Sequence, residues 1–223
     1  MVNIDQHKDM LIQLGTEMFS LCTSQLEHSI EAFLSLDKDL AEKVIRMEYR
    51  INALDLRIDR DCEQFLVLHK PVASDLRFVL ALRKINFDLE GIGDYAYGIS
   101  KFTLELDMIP DKKLLRHLRI DEMFSTTISM LEDIYEAYSD KHSQRAHKVF
   151  KKEQVLNEIN NSSISIISKL VKNDVNLIDQ FLLLFTVIKK LERVGDMATN
   201  IAQEIIFYRE AEVLKHQKEK FLV

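Results

Sequence analysis

Two stretches decide how this chain reads: LEGIGD at residues 89–94 and LERVGD at residues 191–196, one pattern repeated 102 residues apart. Glu90 and Asp94 stand four residues apart, as do Glu192 and Asp196. That spacing stacks each acidic pair on one face of an α-helix. Upstream, Glu48-Tyr-Arg-Ile-Asn52 answers Glu153-Gln-Val-Leu-Asn157, 105 residues apart and in the same order. Two ordered matches at nearly one offset indicate a duplicated helical unit. The small difference in offset falls at the intervening turn, shorter around Asn173-Asp174 than around Pro71.

Composition admits little besides helices. Among 223 residues there are only five Gly and two Pro, and a β-rich chain of this length needs more turn formers. The length suffices for two units, each burying its own core. Pro71 stops one helix and starts the next, and Pro110-Asp111 reads as the linker between halves. In the last segment Leu184, Ile188, Leu191, Ala198, Ile201 and Ile205 fall on one helical stripe. Helices are expected at about 4–36, 38–69, 73–106, 112–138, 141–172 and 175–214, with ends good to a few residues. The expected architecture is all-α: six long helices in two tandem three-helix bundles, each roughly 45 Å long. The first unit spans 1–108, the second 111–215, and residues 216–223 form a C-terminal tail.

The net charge of −6 supplies no basic field, which argues against nucleic acid as a partner. Cys22 and Cys62 match no metal or redox spacing and read as buried apolar residues of a reduced, cytoplasmic protein. The N-terminal residues are polar where a secretory leader is apolar. The most apolar run, Phe181 to Ile188, is far shorter than the roughly 20 residues that a membrane span needs. A soluble protein is expected.

Two carboxylates at i and i+4 repel, more strongly when partly desolvated, unless a cation, a base or a proton intervenes. Folding the first two motifs about Pro71 brings Glu48, Asn52, Glu90 and Asp94 to one level of adjacent antiparallel helices. Folding the second half about Asn173-Asp174 does the same for Glu153, Asn157, Glu192 and Asp196. Each set offers three carboxylates and one amide. Such oxygen donors suit Mg²⁺, Mn²⁺, Ca²⁺ or non-haem iron rather than a structural zinc. Gly91, Gly93 and Gly195 sit inside these helices, where close helix–helix approach best explains them. The seven histidines read as surface residues, with His69 beside the turn the one to examine. None follows a Glu by three residues, which counts against a ferritin-like di-iron oxidase. No phosphate loop or nucleophile set nominates a catalytic mechanism.

Pro71-Val-Ala-Ser-Asp-Leu-Arg77, followed by Asp88-Leu-Glu90 and Gly93-Asp94, resembles the signature of the PhoU family of phosphate-uptake regulators. Leu191-Glu-Arg-Val-Gly-Asp196, continuing through Ala198-Thr-Asn-Ile-Ala202 and Glu204, is similar to that family's second repeat. The resemblance implies two three-helix repeats whose E(D)xxxD motifs hold multinuclear metal clusters, iron among them. It implies a cytoplasmic, usually dimeric, non-enzymatic protein that restrains phosphate uptake and phosphate-starvation signalling. The implied partners are the ATPase subunit of the phosphate ABC transporter and a sensor histidine kinase, so that the membrane is reached only through partners. The chain departs from the pattern at Asn52 and Asn157, where Asp is possible, at Gly91, where Arg is usual, and at Tyr95 and Met197, where His is common. Two other readings stay open: a metal-independent scaffold with solvated acidic faces, and a di-metal enzyme on a helical bundle.

Overall fold

The computed structural model describes residues 3–139, 143–173 and 178–214, and all regular structure among them is helical. The order is α1 (Ile4–Ser35), α2 (Lys38–His69), α3 (Ala73–Glu105), α4 (Lys112–His117), α5 (Ile120–Ser139), α6 (Gln144–Asn173) and α7 (Ile178–Glu210). The predicted tail at 216–223 and the turn residue Asp174 lie outside the described residues.

Local chemistry sets the helix ends. Asn3 and Gln6 form a capping box at the start of α1, and Asp37 caps α2 by accepting from the Leu40 N–H. Leu36 closes α1 and Lys70 closes α2 in the left-handed region, φ 56° and 44°. Pro71 then forbids continuation of α2. Lys70 thus ends α2 right beside the turn that the sequence marks at Pro71.

One expectation fails. The helix expected over 112–138 is two helices, so the described residues hold seven rather than six. Asp111 caps α4, and the chain breaks at Leu118-Arg119, with Arg119 at φ 53°. Leu114, Leu115 and Leu118 are buried, and so is Ile120. On one continuous helix Ile120 would point about 200° away from Leu118, into solvent. The break turns both inward, and Arg119 is held in its strained conformation by charge-assisted bonds to Glu122 and Glu158.

Helices α1, α2 and α3 pack on one another, as do α5, α6 and α7. The two sets join along α3 and α7, with a shorter contact between α1 and α5. Across the α3–α7 seam Lys84 meets Glu204, Asp88 meets Asn200, and Met197 and Lys190 lie against Gly91 and Gly98. One number rises as the other falls, so the helices run antiparallel. The same register sets Gly93 level with Gly195, its own counterpart in the repeat. The duplicated motifs therefore face each other about a local two-fold axis.

The core runs through both sets, with Leu11, Phe19, Leu26, Phe65, Leu82 and Phe181 fully or almost fully buried. Each such side chain contributes about 1.5–3 kcal/mol on leaving water. Cys22 and Cys62 are free and buried within it, and burial pushes the Cys62 thiol up to about 12. His7 departs from the expected surface position: it is buried edge-on against Phe65, and its Nδ1 lies 3.0 Å from Nε2 of His69. The hydrogen bond between the rings and the apolar wall together satisfy a side chain that the first turn of α1 would otherwise expose.

Burial, followed by the facing His69, lowers the His7 pKa below its ordinary value, with Asp61 opposing. Its neutral form is thus favoured in the fold. The stability this lends is complete above the ordinary imidazole value and is lost as pH falls through the lowered one. Thermal melts should show a larger loss between about pH 7.5 and about pH 5.5 for the wild type than for His7→Phe, which has no titrating ring.

Glycine positions give a second test. A Cβ on Gly15 would lie 2.9 Å from Cζ of Tyr138, a ring held against Phe19, whereas one on Gly91 would meet only the end of Met197. Gly15→Ala should cost about 1–3 kcal/mol in denaturant titration, through overpacking against a stiff ring. Gly91→Ala should stay within about 1 kcal/mol of neutral, since methionine adapts and alanine favours the helix.

Candidate metal site

The facing sides of α2 and α3 form a ladder of polar rungs. At one rung Arg83 Nε donates to Asp59 at 3.5 Å. At the next, Asn86 Nδ2 donates to Asp55 Oδ1 at 2.6 Å and to the Asp55 carbonyl at 3.2 Å. In both, α3 supplies a donor for an acid of α2. The third rung differs: opposite Glu48, α3 supplies Glu90 and Asp94. Single ligand oxygens of Glu48, Glu90 and Asp94 all lie within 4.8 Å of one another.

Help for these acids comes from elsewhere. Gln25 of α1, fully buried, donates through Nε2 to Glu48 Oε2 at 3.0 Å and to the Val44 carbonyl at 3.3 Å. The exposed Asn52, one turn further along α2, also favours the Glu48 carboxylate. Glu48 Oε1 is buried with no partner. Gly93 makes room for this arrangement, because a Cβ there would come within 2.9 Å of Gln25 Oε1. Gln25 had no sequence signal: it lies in a helix without acidic motifs, and only packing carries it to Glu48.

The electrostatics follow. Burial, then the charge of Asp94, raises the pKa of Glu48, with Gln25 and Asn52 opposing. Burial raises Glu90, and Asp94, Asp55 and Glu48 add to it. Three carboxylates with an orphaned buried oxygen fit a hard cation with oxygen preference. Lys190 of α7 borders the same hollow as Glu90 and Asp94 and lies over the rings of Tyr95 and Phe102 at 5.5 and 5.3 Å. Its pKa is lowered by burial, against the charge of Asp94. Glu90, Asp94, Tyr95, Met197 and Lys190 line a hollow of 480 Å³ that opens the rung to solvent.

The second half is arranged differently. Glu153 is buried, while Asn157, Glu192 and Asp196 are half-buried. Arg193 Nη1 donates to Asp196 Oδ2 at 3.0 Å, and its Nε lies 3.8 Å from Glu192 Oε2. Among the described residues, three acidic, histidine or cysteine ligands gather only at Glu48, Glu90 and Asp94. Gly91 stands at the repeat position of Arg193, so the first motif has no guanidinium of its own. Asp88 offers a further acid beside the first site: it is buried, accepts from Asn200 Nδ2 at 3.4 Å, and burial raises its pKa to about 6.

Raised carboxylate values carry a sign. The metal-free fold is least penalised below the ordinary carboxylate range, and loses stability as pH rises through the raised values of Glu48 and Glu90. Cation uptake should strengthen over the same window. Glu48→Gln should stabilise the metal-free protein at neutral pH by about 1 kcal/mol, since one crowded charge is gone. The same change should weaken Mn²⁺ binding about tenfold or more, because one anionic ligand is lost. Melting curves with chelator and titration calorimetry with Mn²⁺ read the two effects. A destabilised variant with unchanged binding would refute the site.

The PhoU domain family matches this chain twice, over residues 16–103 and 120–205. A phosphate-specific transport system accessory protein PhoU homolog of Burkholderia sp is 30% identical over 224 residues, covering 96% of this chain and 94% of that protein. A homolog of the same description from Caulobacter vibrioides (strain NA1000 / CB15N) is 33% identical over 206 residues, covering 92% and 89%. The crystal structure of PhoU from Pseudomonas aeruginosa shares the fold, with a TM-score of 0.88 at 22% identity over 94% of this chain and all of that one. With both halves matched and relatives of this identity spanning nearly its whole length, the chain belongs to the PhoU family.

Proposed function

We propose that this chain is a non-enzymatic negative regulator of phosphate uptake and of phosphate-starvation signalling. It works in the cytoplasm by contact with the ATPase subunit of a phosphate ABC transporter and with a sensor histidine kinase, as a homodimer. Membership of a family whose relatives are described as phosphate-specific transport accessory proteins supports the role. Among the described residues no helix is long and apolar enough to cross a membrane, which accords with a protein that meets the membrane through its partners. The chain divides into repeats at 1–108 and 111–215, two tandem three-helix bundles, a reading that the separate packing of α1–α3 and α5–α7 supports.

The observation that carries the metal part is the donor-poor rung at Glu48, Glu90 and Asp94. A bound cation, with Mn, Fe or Mg the candidates, would neutralise these charges and tie α2 to α3 there. Asn52 adds a neutral oxygen at its edge. Glu153, Asn157, Glu192 and Asp196 form the corresponding set in the second half, which takes a cation only when Arg193 leaves Asp196. The Arg193 pairing favours, for that half alone, the reading of an internally neutralised face.

Metal analysis of protein purified without chelator tests the sites. Glu90→Gln/Asp94→Asn should lose most of the bound metal, and Glu192→Gln/Asp196→Asn a smaller share. Equal content in the wild type and both variants would sink the assignment. Pull-downs with the transporter ATPase and the kinase, under rich and poor phosphate, test the regulatory part; capture of neither under either condition would refute it.

A further inference from the structure

Helices α1 and α5 pack along one another with an aromatic pair towards either end. Phe33 meets Phe124 with ring centres 6.4 Å apart, and Phe19 meets Tyr138 at 5.0 Å. Between these contacts the walls carry small side chains: Ser20, Thr23 and Ser24 on α1, Ser125 and Ser129 on α5. The result is a groove made of two hollows, of 710 and 260 Å³, that share Glu27 and Glu132. Ile30, Leu34, Phe124 and Ile128 furnish its apolar floor.

Charge on the rim is of one sign. Glu27, Glu31, Asp121 and Glu132 stand exposed around the floor, and among the described residues no Lys or Arg lines either hollow. Among the described residues none of the four takes part in an ion pair, although acids elsewhere do so repeatedly. Nearby bases are engaged otherwise: Lys152 donates to Asp133 and Ser129. Leu34 and Ile128 are half-buried beneath these like charges, with Ile30 and Phe124 buried behind them, so a helix that brought both apolar and basic side chains would be matched on floor and rim alike. A second copy of this chain brought face to face would set carboxylates against carboxylates.

From Ser20 to Leu34 the α1 wall runs about 21 Å, the length of four helical turns. We propose that this groove docks a basic amphipathic helix of a partner protein, its apolar face on Leu34 and Ile128, and its Lys and Arg side chains on the four carboxylates. The inference rests on reading the chain as a regulator that works by contact, and adds the surface and the chemistry of what binds there. It is independent of the metal site, which lies between α2 and α3.

A synthetic amphipathic peptide of about 16 residues, with Leu on one face and Lys/Arg flanking it, serves as the probe in fluorescence anisotropy with the full chain. It should bind with an affinity that falls as salt is raised, and a peptide with Glu in place of the bases should not bind. Glu27→Gln/Glu31→Gln/Glu132→Gln alters only exposed positions and should weaken binding about tenfold or more. Neutralising three distant acids, Glu63→Gln/Asp107→Asn/Glu212→Gln, should leave it within about twofold. Hydrogen exchange should report protection over 20–35 and 121–135.

Equal losses from the two triple variants, or protection elsewhere, would overturn the proposal. So would sedimentation showing a dimer that Leu34→Asp/Ile128→Asp abolishes, since the groove would then hold a second copy. If the transporter ATPase or the kinase is captured equally by the wild type and the groove variant, the docking site falls while the regulatory reading stands. Loss of capture in the wild type itself would instead remove the regulatory reading.

Discussion

Two helices from opposite halves, α3 and α7, lie antiparallel in close contact, and the remainder of the molecule is arranged around that seam. Their approach depends on what lies between them: Gly91 and Gly98 offer no side chain, and the flexible ends of Met197 and Lys190 fill the space. A larger residue at either glycine would have to displace one of these or push the helices apart. Because the register sets Gly93 level with Gly195, both acidic motifs lie at the middle of the bundle. Each then has a different neighbour outside the seam, α2 for the first and α6 for the second.

The contrast between rungs of α2 and α3 shows how the site is built. Asp59 and Asp55 are matched by Arg83 and Asn86, and need nothing further. Glu48 is matched by two more acids and a single buried amide. Folding tolerates this because the core on both sides of the rung is continuous and apolar, so the stability of the bundle does not rest on any polar contact there. A cost of a kcal/mol or two at one rung is small beside many buried side chains at about 1.5–3 kcal/mol each. Such local disagreement with good packing is typical of places kept for binding.

Duplication has not produced identical halves. Arg193 supplies the second motif with its own counter-charge, whereas its counterpart Gly91 leaves the first motif bare and admits Met197. On the outer side, α1 and α5 repeat one another in position, and the small residues between the Phe33–Phe124 and Phe19–Tyr138 pairs line an acidic groove. The acidic rung and the groove are on separate faces, so the proposed cation and the proposed partner would not compete for one surface.

Helix content, the turns at Pro71 and Pro110, the repeat and the acidic faces were all legible from the sequence, because each depends on local spacing: 3.6 residues per turn, the missing N–H of proline, charges four residues apart. The level of Glu48 with Glu90 and Asp94 was also legible, since a hairpin of two helices fixes it by counting. Tertiary structure alone decided the rest. The break at Arg119 arises because Leu118 and Ile120 must both face one core, a demand no local pattern states. Burial of His7 required the wall of Phe65. Gln25 reaches Glu48 only through packing of a third helix, and the duplicated acids became unequal sites through Arg193, Met197 and Lys190, whose directions depend on which helix lies alongside.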